Sequence, residues 1–238
     1  GVYGFAVAEL ARDAGKRIAC EQTPRNIFYA KQLLEEFPQL RVVHVIRDPR
    51  AVLASQKNRW RVRKLGGSNV PMSEVIRLWF NYHPVTMTRL WIDATRTALE
   101  LSEHPRVHLI RFEDLLEEPV GTVRILCDWY GIDFTEAMLD VPQWGSSNIK
   151  HESGTGVSKK MAGKWREVLS DGELAINESL AQEYMKEFSY ERLSTSGPGP
   201  LAALKMFLKY PVHLLGAAVT NPRRVWIQIK AVLGSRGG

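Results

Sequence analysis

The sequence contains few of the residues that covalent or metal-based stabilisation requires. Its 238 residues include two cysteines, Cys20 and Cys127, which stand far apart in the chain. Isolated cysteines of this kind predict neither a disulfide framework nor a zinc site. We expect both thiols to lie in buried elements and expect the protein to need no metal.

Long hydrophobic runs are also missing. No apolar stretch approaches the roughly 20 residues that a bilayer-spanning helix requires, so the sequence predicts no transmembrane helix. Residues 201–238 instead alternate apolar side chains with lysine and arginine. This pattern is typical of amphipathic helices, which can lie on an anionic membrane surface or pack on the protein body or a partner. The segment STSGPGP before them predicts a linker over 193–200 that separates the tail from a domain over 1–192.

The overall composition fits one globular α/β core. Apolar residues make up 45% of the chain, enough to bury a core of this size. The formal net charge of +6 suits an anionic ligand. That charge is too small to predict a nucleic-acid partner.

The most informative stretch is RVVHVIRDPRAVLAS, residues 41–55. Its β-branched run over 42–46 predicts a buried strand of a parallel sheet. Asp48 is a good N-cap and Pro49 suits the first helical turn, so we expect a helix that runs to about residue 60. Arg47 then lies at the carboxyl end of the strand, where open α/β sheets bind ligands.

Three donors in this stretch fit a phosphate. Arg47 offers forked N–H groups, the helix start offers free amides, and Ser55 adds a hydroxyl about two turns further on. The alternative is that Arg47 pairs with Asp48 or another carboxylate and that Ser55 is only a small helix residue.

The stretch resembles the 3′-phosphate-binding segment of the PAPS-dependent sulfotransferases, in which a strand ends in R-D-P-R and a serine follows. The resemblance implies that Arg47 and Ser55 hold the 3′-phosphate of 3′-phosphoadenosine-5′-phosphosulfate (PAPS). It also implies a P-loop NTPase-like three-layer α/β fold built on a parallel sheet.

A second stretch is similar to the same family. Residues 106–111, RVHLIR, predict another buried strand, and a helix should run from Pro119 to a C-cap at Gly131. Between them, RFEDL resembles the R-Y-E-D-L block of bacterial carbohydrate and tyrosine-protein sulfotransferases, with Phe112 in the tyrosine position. An aromatic ring there can pack against adenine, although Phe112 alone could equally be a core residue.

A third stretch, residues 152–169, predicts a basic loop that leads into a helix near Trp165. It resembles the loop that sulfotransferases close over the cosubstrate, and Gly163 and Trp165 match its glycine-any-tryptophan ending. The resemblance makes Lys159 and Lys160 candidates for cosubstrate binding. Without it, a lysine-rich loop is usually solvated surface.

The N-terminal part departs from the family pattern. A strand is expected over 16–20 and a helix over 26–37. Many relatives carry K-T-P after this strand, where the lysine position is Gln22 here, so Gln22 is a weak catalytic candidate. The family's phosphosulfate-binding loop is not found before Lys16, and we expect an N-terminally truncated piece of a longer enzyme. His151, near the basic loop, is the one histidine that we consider as a general base.

Together the resemblances imply an enzyme that transfers a sulfuryl group from PAPS to a hydroxyl of a carbohydrate or protein acceptor. We expect a cytoplasmic location, or membrane association through residues 201–238. One alternative is a non-catalytic nucleotide-binding or membrane-associated module. Another is a P-loop-type kinase, although no Walker-type loop with a magnesium-binding carboxylate is visible.

Overall fold

The computed structural model describes residues 2–61, 70–140, 163–193 and 199–222. Helices dominate these ranges, and two short strands lie between them. In chain order the elements are α1 (Val2–Asp13), a 3-10 segment (Pro24–Tyr29), α2 (Ala30–Glu36), β1 (Val42–Ile46), α3 (Pro49–Trp60), α4 (Met72–Asn81), α5 (Pro84–Glu100), β2 (Val107–Arg111), α6 (Phe112–Glu117), α7 (Pro119–Tyr130), a 3-10 turn (Glu136–Met138), α8 (Trp165–Val168), α9 (Asp171–Glu187) and α10 (Gly199–Thr220).

The two strands pair in parallel, which confirms the predicted α/β class with a parallel sheet. Their register runs from Val42 opposite Val107 to Ile46 opposite Arg111. Because the last residues of the strands are partners, the residues that follow them leave the sheet side by side. This places Arg47 and Phe112 at the same sheet edge.

The two faces of β1 differ in burial. Ile46 is buried in a cluster with Trp91, Ala181, Met185 and Tyr190. Val43 and Val45 point to the opposite face and remain 43% and 47% exposed. The prediction of a fully buried strand is therefore right for one face only. Alternate residues of a strand face opposite sides, and in the described ranges α5 and α9 supply the covering residues of one side.

The strand predicted over 16–20 is wrong, because these residues form no strand in the structure. A strand is stable only when its N–H and C=O groups pair with a neighbour, and the described sheet contains only β1 and β2. Ile18 is 40% exposed. Cys20 is also exposed, contrary to expectation, whereas Cys127 is buried as expected.

The predicted helix boundaries are largely confirmed. The helix expected over 26–37 appears as the 3-10 segment followed by α2. The Asp48 side chain caps α3 by accepting a hydrogen bond from the amide of Arg50. Gly131 ends α7 in the left-handed conformation, with φ of 78°, which glycine adopts without steric cost.

Helix α10 packs against α4 and α9. It begins at Gly199 and continues through Pro211 as one helix, which agrees with the helical tail expected over the described part of 201–238. Residues 194–198 of the expected linker and residues 223–238 lie outside the described ranges, and the domain limits stay predictions. Among the helices that are described, none has the length and apolar content needed to cross a bilayer.

Candidate functional site

Arg47 lies directly over an aromatic ring at the end of the sheet. The Cζ atom of its guanidinium is 4.5 Å from the centroid of the Phe112 ring. At that distance the cation and the ring quadrupole attract each other. The two residues are 65 positions apart and meet because they follow paired strands.

The Arg47 guanidinium has no carboxylate partner among the described residues. The alternative that Arg47 pairs with Asp48 is not realised, because Asp48 binds Arg50 instead. Burial lowers the pKa of Arg47, while the nearby charges of Glu113 and Asp48 raise it. An arginine remains ionised in any protein environment. The site thus holds a half-buried positive charge that an anion can neutralise.

The peptide group between Arg47 and Asp48 is held from both ends. Its carbonyl oxygen accepts a hydrogen bond from the indole Nε1 of Trp91 at 3.0 Å. Its N–H donates to a carboxylate oxygen of Glu113 at 3.1 Å. Because the peptide group is planar, these two bonds fix its orientation. They thereby fix the direction in which the Arg47 side chain leaves the main chain.

Glu113 is in turn held by a residue of the C-terminal part of the domain. Its second carboxylate oxygen accepts a hydrogen bond from the Tyr190 hydroxyl at 2.7 Å. Burial and the bond to Glu113 both raise the pKa of Tyr190, so the hydroxyl stays protonated and can donate. The Arg111 guanidinium lies over the Tyr190 ring, with Cζ 5.1 Å from the centroid.

Sequence reasoning did not assign a role to Glu113 or Tyr190. Glu113 could have been found, because it stands directly after Phe112 in the family block. Tyr190 is 77 residues further along, and no local pattern connects it to the site.

The second arginine of R-D-P-R has a different environment. Arg50 is only 4% exposed, and its guanidinium binds Asp48 at 2.8 Å and Glu178 at 2.8 Å. It also lies over the indole of Trp165, with Cζ 4.2 Å from the ring centroid. Its charge is already neutralised by two carboxylates. Arg50 therefore holds α3, α8 and α9 together, and Arg47 is the arginine left for a ligand.

Ser55 lies on α3 two turns after its start and is half-buried. Its hydroxyl makes no hydrogen bond with any other described residue and remains available as a donor. The helix rise places Ser55 about 10 Å along the axis from Asp48. Joint binding of one phosphate by Arg47 and Ser55 stays a prediction.

The predicted loop residues divide into three groups. Gly163 is exposed and comes just before α8. Trp165 is 3% exposed and packs in a core cluster with Leu53 and Tyr82, so its ring faces α3. Lys159, Lys160 and His151 lie outside the described residues. Gln22 is exposed before the first 3-10 segment, and its role stays a prediction.

A separate cavity of about 360 Å³ lies between α7 and the residues that follow it. Its lining includes Arg124 and Phe134, and the Arg124 guanidinium lies 4.2 Å from the Phe134 ring centroid. None of the predicted site residues lines it. Arg124 thus resembles Arg47 in its ring contact while lying outside the candidate site.

Residues 4–136 match the family model described as "Sulfotransferase family". This range includes every described element from β1 to α7, and it covers more than half of the chain. The chain belongs to the sulfotransferase family. The match includes Arg47, Ser55, Phe112 and Glu113, whereas Tyr190 and α10 lie beyond it.

Individual relatives agree with this assignment. The chain is 30% identical over 131 residues to human carbohydrate sulfotransferase 6, which is 51% of this chain and 31% of that protein. It is 23% identical over 196 residues to sulfotransferase 2A1 of Rattus norvegicus, covering 75% of this chain and 67% of the relative. The chain thus spans about a third of the length of the carbohydrate sulfotransferase.

A solved structure shows the same fold. The sulfotransferase domain from the Synechococcus PCC 7002 olefin synthase superposes with a TM-score of 0.50 at 20% identity. The superposition covers 80% of this chain and 63% of that domain. The P-loop-like α/β sulfotransferase fold expected from the sequence is therefore confirmed.

Proposed function

We propose that this protein binds PAPS at the carboxyl ends of β1 and β2 and transfers its sulfuryl group to an acceptor hydroxyl. One observation carries the proposal. Arg47 presents a half-buried guanidinium that is held over the Phe112 ring and has no carboxylate partner among the described residues. A phosphate monoester fits such a group, because a guanidinium donates two parallel hydrogen bonds to phosphate oxygens.

Different residues of the site would bind different parts of the nucleotide. Arg47 and the hydroxyl of Ser55 would bind the 3′-phosphate. Residues 48–50 at the start of α3 add no free amide, because the Asp48 amide donates to Glu113, the Arg50 amide donates to Asp48 and Pro49 has no N–H. The Phe112 ring would pack beside the adenine. As the family resemblance implies, the basic loop would close over the cosubstrate. It contains Lys159 and Lys160 and ends in the turn from Gly163 to Trp165.

The reaction is a direct group transfer. The acceptor oxygen forms a bond to sulfur while the bond between sulfur and the phosphate oxygen breaks. The products are a sulfate ester and adenosine 3′,5′-bisphosphate, and the hydroxyl proton passes to a base. His151 remains our candidate for that base, and the chemistry needs no metal.

We propose a carbohydrate or protein hydroxyl as the acceptor. The named carbohydrate sulfotransferase is 30% identical to this chain, compared with 23% for rat sulfotransferase 2A1. The R-F-E-D-L block also resembles the enzymes that act on carbohydrates and tyrosine. Both observations support a large polar acceptor over a small one.

Calorimetry with adenosine 3′,5′-bisphosphate tests the cosubstrate site. Arg47→Ala removes a charge-assisted contact to the phosphate and should weaken binding by about 2 kcal/mol, which is roughly thirtyfold in Kd. Arg124→Ala is the matched control, because Arg124 has the same kind of ring contact at a separate cavity that none of the site residues lines. Its affinity should equal that of the unaltered protein.

Two results would contradict the proposal. If the Arg47→Ala protein binds the bisphosphate with unchanged affinity, the bisphosphate does not bind at the end of β1. A protein that prefers ATP with magnesium over the bisphosphate would instead favour the kinase alternative.

A further inference from the structure

Helix α10 has one face attached to the protein. On this face His213 is 8% exposed, and its ring lies 4.5 Å from that of Trp79 and 5.2 Å from that of His83. Gly216 lies so close to Phe80 that a Cβ atom there would come within 1.9 Å of the ring. The helix is therefore docked firmly on α4 and on the start of α5.

The opposite face of α10 is an exposed row of aliphatic side chains, which we call the outer stripe. It consists of Leu204, Leu208, Leu215 and Val219, which are 53%, 71%, 69% and 77% exposed. Their spacings of four, seven and four residues place them on one side of a helix. Val212 and Leu214 extend the apolar surface and are 54% and 48% exposed.

A surface of this kind requires an explanation. Single exposed leucines are ordinary, but a continuous apolar row is rare on a free protein surface and marks a binding site for a protein or a membrane. The outer stripe extends from Leu204 to Val219, which is about 22 Å along the helix axis. It is long enough to contact a flat partner.

The distribution of charge indicates the chemistry of that partner. From Arg192 to Gly238 the sequence has seven basic residues and no acidic one. The preceding part holds the other 25 basic residues and all 26 acidic ones, for a net charge of −1. The net positive charge of the chain thus comes from the part that contains α10. Lys205 and Lys209 are both exposed on this helix.

We propose that the outer stripe binds the interface of an anionic lipid bilayer, with α10 lying parallel to the membrane plane. Aliphatic side chains on one face of a helix insert at the boundary of headgroups and acyl chains, and nearby lysines bind anionic headgroups. The long lysine side chains reach the headgroups while their stems stay on the apolar side. This inference does not depend on the proposed sulfuryl transfer.

A second copy of the chain fits the surface less well. In a twofold dimer through α10, the same patch would meet itself. The lysines of each copy and the uniformly basic C-terminal sequence would then be brought together, and like charges repel. An anionic lipid surface satisfies both the apolar row and the charge.

Co-sedimentation of the full chain with vesicles tests this proposal. We expect binding to vesicles of equal parts phosphatidylcholine and phosphatidylglycerol, weaker binding to phosphatidylcholine alone, and loss of binding as salt increases. Leu208→Gln combined with Leu215→Gln should weaken binding on the order of tenfold for each leucine. Leu10→Gln combined with Ile125→Gln is the matched control, since these side chains are 68% and 58% exposed on α1 and α7.

A charge variant provides a second, independent measurement. Lys205→Gln combined with Lys209→Gln should weaken binding to the anionic vesicles on the order of tenfold and reduce its salt dependence. Binding to phosphatidylcholine alone should not change. Because both lysines are exposed, this variant tests the surface even if the leucine variant folds poorly.

Three outcomes would overturn the proposal. The first is equal vesicle binding by the unaltered protein and the leucine variant. The second is an equal loss of vesicle binding in the control variant on α1 and α7, which would show that any exposed apolar side chain contributes to vesicle binding. The third is a protein that ignores anionic vesicles and forms a dimer that the leucine variant dissociates, which would assign the outer stripe to a second copy.

Discussion

Glu113→Ala is the substitution that most directly tests how the site is built. The Glu113 carboxylate accepts one hydrogen bond from the Asp48 amide at 3.1 Å and another from the Tyr190 hydroxyl at 2.7 Å. Alanine leaves both donors without this partner. The peptide group after Arg47 then keeps only its bond to Trp91, and the direction of the Arg47 side chain is no longer fixed.

Two effects of different size should follow. A hydrogen bond to a charged group contributes about 1.5 to 3 kcal/mol. Because Glu113 is half-buried and water can replace part of each bond, we expect the free energy of unfolding to decrease by about 3 kcal/mol in total. This corresponds to a decrease in Tm of about 9 °C for a domain of this size. The affinity for adenosine 3′,5′-bisphosphate should decrease on the order of tenfold.

Three variants separate positioning from general destabilisation. Glu113→Gln can still accept from the Asp48 amide and can donate to the Tyr190 oxygen, so it should restore the affinity. Tyr190→Phe removes one bond and should lower stability by about 1 kcal/mol with little change in affinity. Asp114→Ala removes the neighbouring carboxylate, which binds Arg111 and does not touch the peptide group after Arg47.

A double-mutant cycle in calorimetry decides the interpretation. If Glu113 acts through Arg47, then Glu113→Ala should cause no further loss of bisphosphate affinity in a protein that already carries Arg47→Ala. Additive losses would refute the reasoning, and so would a Glu113→Ala protein with reduced Tm and unchanged affinity. An unchanged affinity in Arg47→Ala alone would instead reject the proposed function.

Three further expectations concern stability. Arg50→Ala removes the closest cation from two buried carboxylates, leaving Glu178 with Arg192 at 4.0 Å, and should lower the free energy of unfolding by about 3 kcal/mol in chemical denaturation. A loss below about 1 kcal/mol would show that water and Arg192 screen these carboxylates. Gly216→Ala forces a methyl group against Phe80 and should cost about 1 to 3 kcal/mol, whereas Gly121→Ala, which meets no atom within 4 Å, should not destabilise. Burial lowers the pKa of His83 and His213 below 6.5, so protons bind the unfolded chain more readily and stability should decrease as pH falls below about 6.5. The Tm of the unaltered protein should decrease between neutral pH and about pH 5, and this decrease should be smaller when both histidines are replaced by glutamine. An equal decrease in Tm in the two proteins would exclude these rings as the cause.

Local sequence determined the elements around the site. The end of β1, the cap at Asp48 and the start of α3 depend on a few consecutive residues, and each agrees with the structure. The same holds for the end of α7 at Gly131. Backbone capping and side-chain periodicity act over one or two turns, so they can be predicted without knowledge of the fold.

The strand expected over 16–20 shows where this reasoning fails. Its residues favour an extended chain, but a strand also needs a neighbour with which to pair. The burial of β1 was misjudged for the same reason, because its sequence does not reveal which face the helices cover. Pairing and covering depend on residues that are distant in the chain.

The sequence by itself determined that an arginine follows β1 and that a helix begins at once behind it. Only the tertiary structure decided which arginine is free to bind an anion. Arg50 is neutralised by Glu178, which is 128 residues away, and Arg47 is oriented through the bond between Asp48 and Glu113, which are 65 residues apart. The charge of a side chain follows from its type, whereas its availability depends on which distant partners the fold brings within a few ångströms.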